Sequence, residues 1–173
     1  ISSHVGAAVS RFDTMNAFPA VMETLGYSAQ DSEASIAKMS DRLGSLPTTL
    51  DSMTGAVQRI VPAIKDVGKS TDIMLAFNDA LVAGKSPIEI QNAAIEQFSQ
   101  AVSRGKFELK EWRSVQTAMP GQLDQVAKSM LGAEAGAMDL YEALKNGDVS
   151  MDEFLSTLVR LDTEGGSGFA SFQ

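Results

Sequence analysis

One local device, used twice, restricts this chain more than any other feature. Gly105-Lys-Phe-Glu-Leu-Lys-Glu-Trp112 and Gly147-Asp-Val-Ser-Met-Asp-Glu-Phe154 align position by position. Gly105 pairs with Gly147, Phe107 with Val149, Leu109 with Met151, Glu111 with Glu153 and Trp112 with Phe154. A Gly directly after a helical run suits the left-handed conformation that commonly ends a helix, because it carries no Cβ. Ser150 with Glu153 forms a capping box for the helix that follows. Phe107 with Leu109, and Val149 with Met151, share a side only if the backbone between them is extended. Each copy therefore reads as helix, Gly stop, one extended step, new helix. Two such hinge units face each other across the turn Met119-Pro120-Gly121. Val82-Ala83-Gly84-Lys85 echoes the first copy, which makes Gly84 a third hinge, but the echo is too short to define a solenoid.

The rest of the chain carries helical spacing. Val5, Val9, Phe12, Met15, Phe18, Met22 and Leu25 recur at three or four, with Pro19 placed to kink or split the run near Phe18 and Gly26 to stop it. Ser28 with Asp31 caps a second helix bearing Ile36, Met39 and Leu43, ending at Gly44. Leu46-Pro47-Thr48 is a turn, and Thr48 with Asp51 opens a helix carrying Leu50, Met53, Val57, Ile60, Ile64 and Val67. Pro62 should bend that helix and Gly68 should end it. Ser70-Thr71-Asp72 then starts a helix with Ile73, Phe77, Ala80 and Leu81 on its face, stopping at Gly84. Ser86-Pro87-Ile88-Glu89 is the strongest start signal, with Ser86 as N-cap, Pro87 in the first helical position and Glu89 completing the box. That helix runs to Arg104, followed by helices over Leu109 to Met119, Gln122 to Leu131, Ala135 to Asn146 and Ser150 to Leu161. No segment alternates at period two. The expectation is an all-α, compact multi-helix domain of about nine helices with two helix–Gly–helix hinge units. Residues 1–69 form an N-terminal helical segment, 70–162 the main helical domain, and 163–173 a Gly-rich loop with the start of a truncated element.

Composition narrows the function. The 173 residues carry a formal charge of −8, which disfavours direct nucleic-acid binding because that needs Lys/Arg patches. An acidic balance also gives little attraction to an anionic membrane, and no apolar run approaches the roughly 18–20 residues that span one. With no Cys there is no disulfide, thiolate metal site or Cys nucleophile. The chain begins at Ile1 rather than Met and ends on a Gly-rich tail, with no signal peptide, and reads as a segment excised from a longer polypeptide.

The chemical candidates are few, and each has a plainer reading. Gly147, Val149, Glu153 and Phe154 match the back half of a calcium-binding EF-hand loop, but Glu142 and Leu144 fill its first and third positions, and Leu144 has no oxygen to offer. A capped helix restart explains every residue there. His4 is the only histidine and stands near one end, without a partner for a triad or metal site. Asp31/Glu33 and Asp152/Glu153 are first-turn carboxylates that favour a helix N-terminus. Gly165-Gly166-Ser167-Gly168 lacks the Lys-Ser/Thr of a phosphate loop. No catalytic, cofactor or metal residue is assigned, and the chain reads as no enzyme. Phe107, Trp112, Pro120 and Phe154 remain as core or docking residues, and core is the better reading of Trp112 because its aligned partner is the apolar Phe154.

Taken together, these residues resemble the tape measure proteins of long-tailed phages and prophages. Phe12-Asp-Thr-Met, Phe18-Pro-Ala-Val, Leu25-Gly-Tyr-Ser28 and Leu46-Pro-Thr-Thr-Leu-Asp51 look like the start of that family's conserved segment. Asn78-Asp-Ala-Leu81, Gln97-Phe-Ser-Gln-Ala-Val-Ser-Arg-Gly-Lys106, Glu111-Trp112, Met119-Pro-Gly121, Val126-Ala-Lys-Ser-Met-Leu-Gly132 and Leu144-Lys-Asn-Gly-Asp-Val-Ser150 look like its centre. The terminal Gly-Gly-Ser-Gly-Phe-Ala-Ser-Phe-Gln also fits. Phe98 and Lys110 depart from the pattern, standing where a more aliphatic or a small residue is expected. The resemblance implies a non-enzymatic structural protein of the virion, acting in tail assembly, tail-length determination and genome delivery. It implies tail tube subunits and tail assembly chaperones as partners, with self-association through flanking helical regions. It places the protein in the tail lumen after assembly and in the host cytoplasm before. Two other readings stand beside it. A helical adaptor that binds a partner helix would need an exposed apolar groove near Trp112. A cell-wall-lytic enzyme would need a deep cleft with a buried carboxylate.

Overall fold

The computed structural model describes residues 17–43 and 50–163, and every regular element among them is an α-helix. In chain order they are α1 (17–24), α2 (Ala29–Leu43), α3 (Leu50–Ile64), α4 (Val67–Gly84) and α5 (Ile88–Arg104). They continue as α6 (Leu109–Ala118), α7 (Pro120–Leu131), α8 (Ala137–Asn146) and α9 (Met151–Thr163). The compact all-α fold read from the periodicity is thus the observed one. The capping box at Thr48, the turn at Leu46-Pro47 and the stop at Gly44 lie outside the described residues, as do His4, the start of the first helical run and the tail from residue 164.

The centre of the molecule is α4, not the stretch from Gly105 to Phe154. Every residue from Ile73 to Asn78 is buried. Six consecutive residues exceed one helical turn, so this stretch of α4 is enclosed on every side. Around it pack chiefly α3, α9 and α2, with lesser contact from α7 and α5. The boundary expected after residue 69 falls inside this helix, and buried apolar side chains from Phe18 to Leu161 join in one continuous core. Residues before and after 69 therefore belong to a single packed unit.

The start of α4 differs from the sequence expectation. The preceding helix ends at Ile64, soon after Pro62, and Lys65 takes the left-handed conformation at φ 65°. Asp66 is then the N-cap, its Oδ1 accepting from the Lys69 amide at 2.8 Å. Gly68 lies inside the new helix rather than ending the old one, and Ser70 and Thr71 are buried within it. Their hydroxyls back-bond to the carbonyls of Asp66 and Val67, both at 2.7 Å, which disposes of the polar atoms without solvent. Such a cap contributes about 1 kcal/mol.

At several other helix ends local chemistry fixes the boundary as read. Ser28 Oγ accepts from the Asp31 amide at 3.1 Å. At Gly26, Gly105 and Gly147 the chain turns left-handed, with φ of 96°, 92° and 84°. In each turn the residue after the Gly donates its amide back to the carbonyl five residues earlier: Tyr27 to Met22 at 3.0 Å, Lys106 to Ala101 at 3.2 Å, Asp148 to Ala143 at 2.9 Å. These bonds occupy carbonyls that a helix end otherwise leaves to water.

Candidate functional site

The two aligned turns lie at the rim of an aromatic cluster that extends from the centre of the molecule. Phe77 of α4 stacks on Phe98 of α5 with ring centroids 3.9 Å apart. Phe98 meets Phe107 at 6.0 Å, and Phe107 meets both Trp112 (5.0 Å) and Phe154 (5.8 Å) edge to face. Trp112 closes the cluster on Phe154 at 5.6 Å and on Tyr141 of α8 at 6.1 Å. Edge-to-face and offset pairs place the positive ring edge near a negative face, which adds to the area buried. Phe107, Trp112 and Phe154 are thus brought into direct contact, although Phe154 lies far along the chain from the other two. Both Trp112 and Phe154 are fully buried.

The indole N–H of Trp112 donates to the Ala137 carbonyl at 3.0 Å, which satisfies its one polar atom inside the core. A side chain in that position packs the domain and presents nothing to a partner. Leu109, expected to share a side with Phe107, is instead partly exposed, while Phe107 is buried.

Each turn is tied off by the aligned glutamate. Glu111 Oε1 accepts from the Glu108 amide at 3.0 Å, and Glu153 Oε1 from the Ser150 amide at 3.2 Å. Ser150 Oγ returns the bond by accepting from the Glu153 amide at 3.0 Å. In the first copy Arg104 supplies the second anchor instead, as its guanidinium bonds Glu111 across the turn. The hydrogen bond to Glu111 raises the pKa of Arg104 further. Similar local turns lead to different packing: α6 lies back along α5, whereas α8 packs chiefly against α7 and α9 chiefly against α4.

Beside the first turn is an open groove of about 320 Å³, lined by Phe107, Leu109, Tyr141, Leu144 and Met151 with Lys106 and Lys145 among its polar residues. Trp112 does not itself line it, although Phe107 and Tyr141 of its wall contact the indole ring.

Gly84 and Pro120 meet at a different place. Gly84 is the last residue of α4 and has ordinary helical geometry; the left-handed residue is Lys85, at φ 58°. The expectation that Gly84 is a left-handed hinge is therefore corrected. A Cβ on Gly84 would stand 2.7 Å from the Ala118 carbonyl oxygen and 3.2 Å from the Met119 Cα. Gly is required there for close approach, not for backbone freedom. Ser86, expected to cap α5, instead donates its hydroxyl to the same Ala118 carbonyl at 2.6 Å, and Pro87 stands at the cap without a side-chain bond. The carbonyl needs that donor because Met119, at φ −148°, breaks the chain between α6 and α7. Pro120 takes the first position of α7 and is exposed, so it belongs neither to the core nor to a turn separate from the helix.

Sequence reading missed one polar cluster. Arg42 of α2 pairs with Asp79 of α4 and, at 3.7 Å, with Asp162 of α9. Lys38 and Arg42 stand four apart, and Asp72 and Asp79 seven apart, so each pair lies on one helical stripe, and Lys38 pairs with Asp72. Those matching stripes were legible; Asp162 carries no local signal. Both aspartates engage the same guanidinium nitrogen of Arg42. Among the described residues no group of three or more His, Cys, Asp or Glu is placed to hold a metal ion. No helix among them is long and apolar enough to cross a membrane.

The family model described as tape measure protein matches residues 6–173, nearly the whole chain. No curated protein and no solved structure matches it. A match of that extent agrees with the motif order in the sequence and with a helical core in which the aromatic residues are spent on packing. The chain belongs to the tape measure protein family, whose members are structural proteins of phage tails.

Proposed function

We propose that this domain acts without catalysis in tail assembly and tail-length determination, and that it assists genome delivery. The observation that carries the proposal is the family match over residues 6–173. The packing supports it: Trp112, Phe107 and Phe154 fill the core, and the carboxylates at the turns and in the Arg42 cluster are engaged with amides or with arginine. The partners on this reading are tail tube subunits and tail assembly chaperones, joined by self-association through flanking helical regions. Direct contact with nucleic acid is disfavoured by the charge of −8. The protein works in the host cytoplasm during assembly and lies in the tube lumen afterwards.

The test is deletion of the codons for residues 17–163 from the phage gene, with electron microscopy of the resulting particles. Tails should be absent, or shortened by much less than the ~1.5 Å per residue of a continuous helix, because the segment is compact. Parental numbers of tails, with parental length and infectivity, would overturn the proposal.

A further inference from the structure

We infer that Arg42, Asp79 and Asp162 form a proton-operated latch holding the last turn of α9 against α2 and α4. Three elements far apart in sequence meet there, and Asp162 is the contact nearest the end of α9. One guanidinium nitrogen of Arg42 faces two carboxyl groups, those of Asp79 and Asp162. A proton on either carboxyl removes one of the two negative charges. With that proton the cluster is neutral; without it, two negative charges share one positive charge in a site where the Asp162 side chain is only 10% exposed.

Among the described residues, the neighbouring charges have partners elsewhere. On the same α2–α4 seam, Lys38 is paired with Asp72. On α9, Arg160 donates to Ser129 of α7 at 2.6 Å, and Asp152 pairs with Lys69 of α4 toward the helix's other end. On α7, Lys128 donates to the Ala135 carbonyl at 3.1 Å.

Burial, then the nearby Asp79 carboxyl, push Asp162 up to about 7, against the opposing pull of Arg42. A carboxyl whose folded pKa lies above its unfolded value of about 3.9 stabilises the fold fully below that value. That contribution is lost as pH rises through the folded pKa. The latch is therefore closed in mildly acidic solution and weakened above neutrality, which changes how firmly the last turn of α9 is anchored to the domain.

The test is native-state hydrogen exchange of the 173-residue chain at pH 5.5 and 8.5, corrected for intrinsic rates. Protection in the last turn of α9 should fall about tenfold or more between the two, a figure discounted for solvent screening, while protection around Trp112 changes less. In Asp162→Asn a neutral amide replaces the protonated acid, and the pH effect should vanish with protection retained. Asp79→Asn removes the second charge and should also abolish the effect, which keeps the test decisive if the first variant folds poorly. Carbon-detected titration of the Asp162 carboxyl should show a midpoint near 7 in the parent. Equal protection at both pH values, a midpoint below 5, or an unchanged pH effect in the foldable variants would overturn the latch.

Discussion

Gly84 and Ala118 approach so closely that a methyl group on the first would stand 2.7 Å from the carbonyl oxygen of the second. Both the end of α4 and the break between α6 and α7 depend on that contact. The obstacle is backbone, which cannot rotate aside as a flexible side chain can. Gly84→Ala should therefore destabilise the domain more than Gly105→Ala or Gly147→Ala, although only the latter two glycines have positive φ. Those two have nothing within 4 Å of an added Cβ and should cost about 1 kcal/mol each, from backbone strain alone. Gly55 lies inside α3 with open space around it, so Gly55→Ala should stabilise by up to ~1 kcal/mol. Urea midpoints of the four variants give the ranking.

Ser86 donates to the same Ala118 carbonyl. Ser86→Ala should cost about 1 kcal/mol, and the loss should not add to that of Gly84→Ala, because displacing the carbonyl already breaks the bond. A double-mutant cycle by urea denaturation measures the coupling. Additive effects would show that the two residues act separately.

Trp112→Ala should cost about 3–5 kcal/mol, and Phe154→Ala about the same, since each removes a fully buried ring from the aromatic cluster. Trp112→Phe should cost less, because it keeps most of the ring packing and loses the bond to Ala137. The same denaturation series checks this. A Trp112→Ala variant with the parental midpoint would mean that the side chain does not pack the core.

Much of this fold was legible in the sequence because capping chemistry is local. Ser28, Ser150, Gly26, Gly105 and Gly147 act through atoms a few residues away, so their positions announced the helix ends. The α3–α4 boundary was misplaced because Lys65, a residue with a Cβ, took the left-handed position while Gly68 did not need it. Ser86 and Gly84 were misread for one reason: both answer to Ala118, which lies far along the chain. The central role of α4 was concealed by a period search, which looks for one apolar stripe and undervalues a run such as Ile73 to Phe77 that is apolar all round. Trp112 and Phe154 were paired by the repeat, and the structure places their rings 5.6 Å apart. The Arg42–Asp79–Asp162 cluster depends wholly on tertiary packing, so only its matched helical stripes could have been seen.

The structural role is tested most directly by mass spectrometry of tails purified from particles of the phage that encodes this chain. Peptides spanning α4 to α9 should be recovered from the intact tails, as expected of a component built into them. Their absence from tails, with recovery only from the cell lysate in which tails assemble, would contradict a structural place for this domain in the tail.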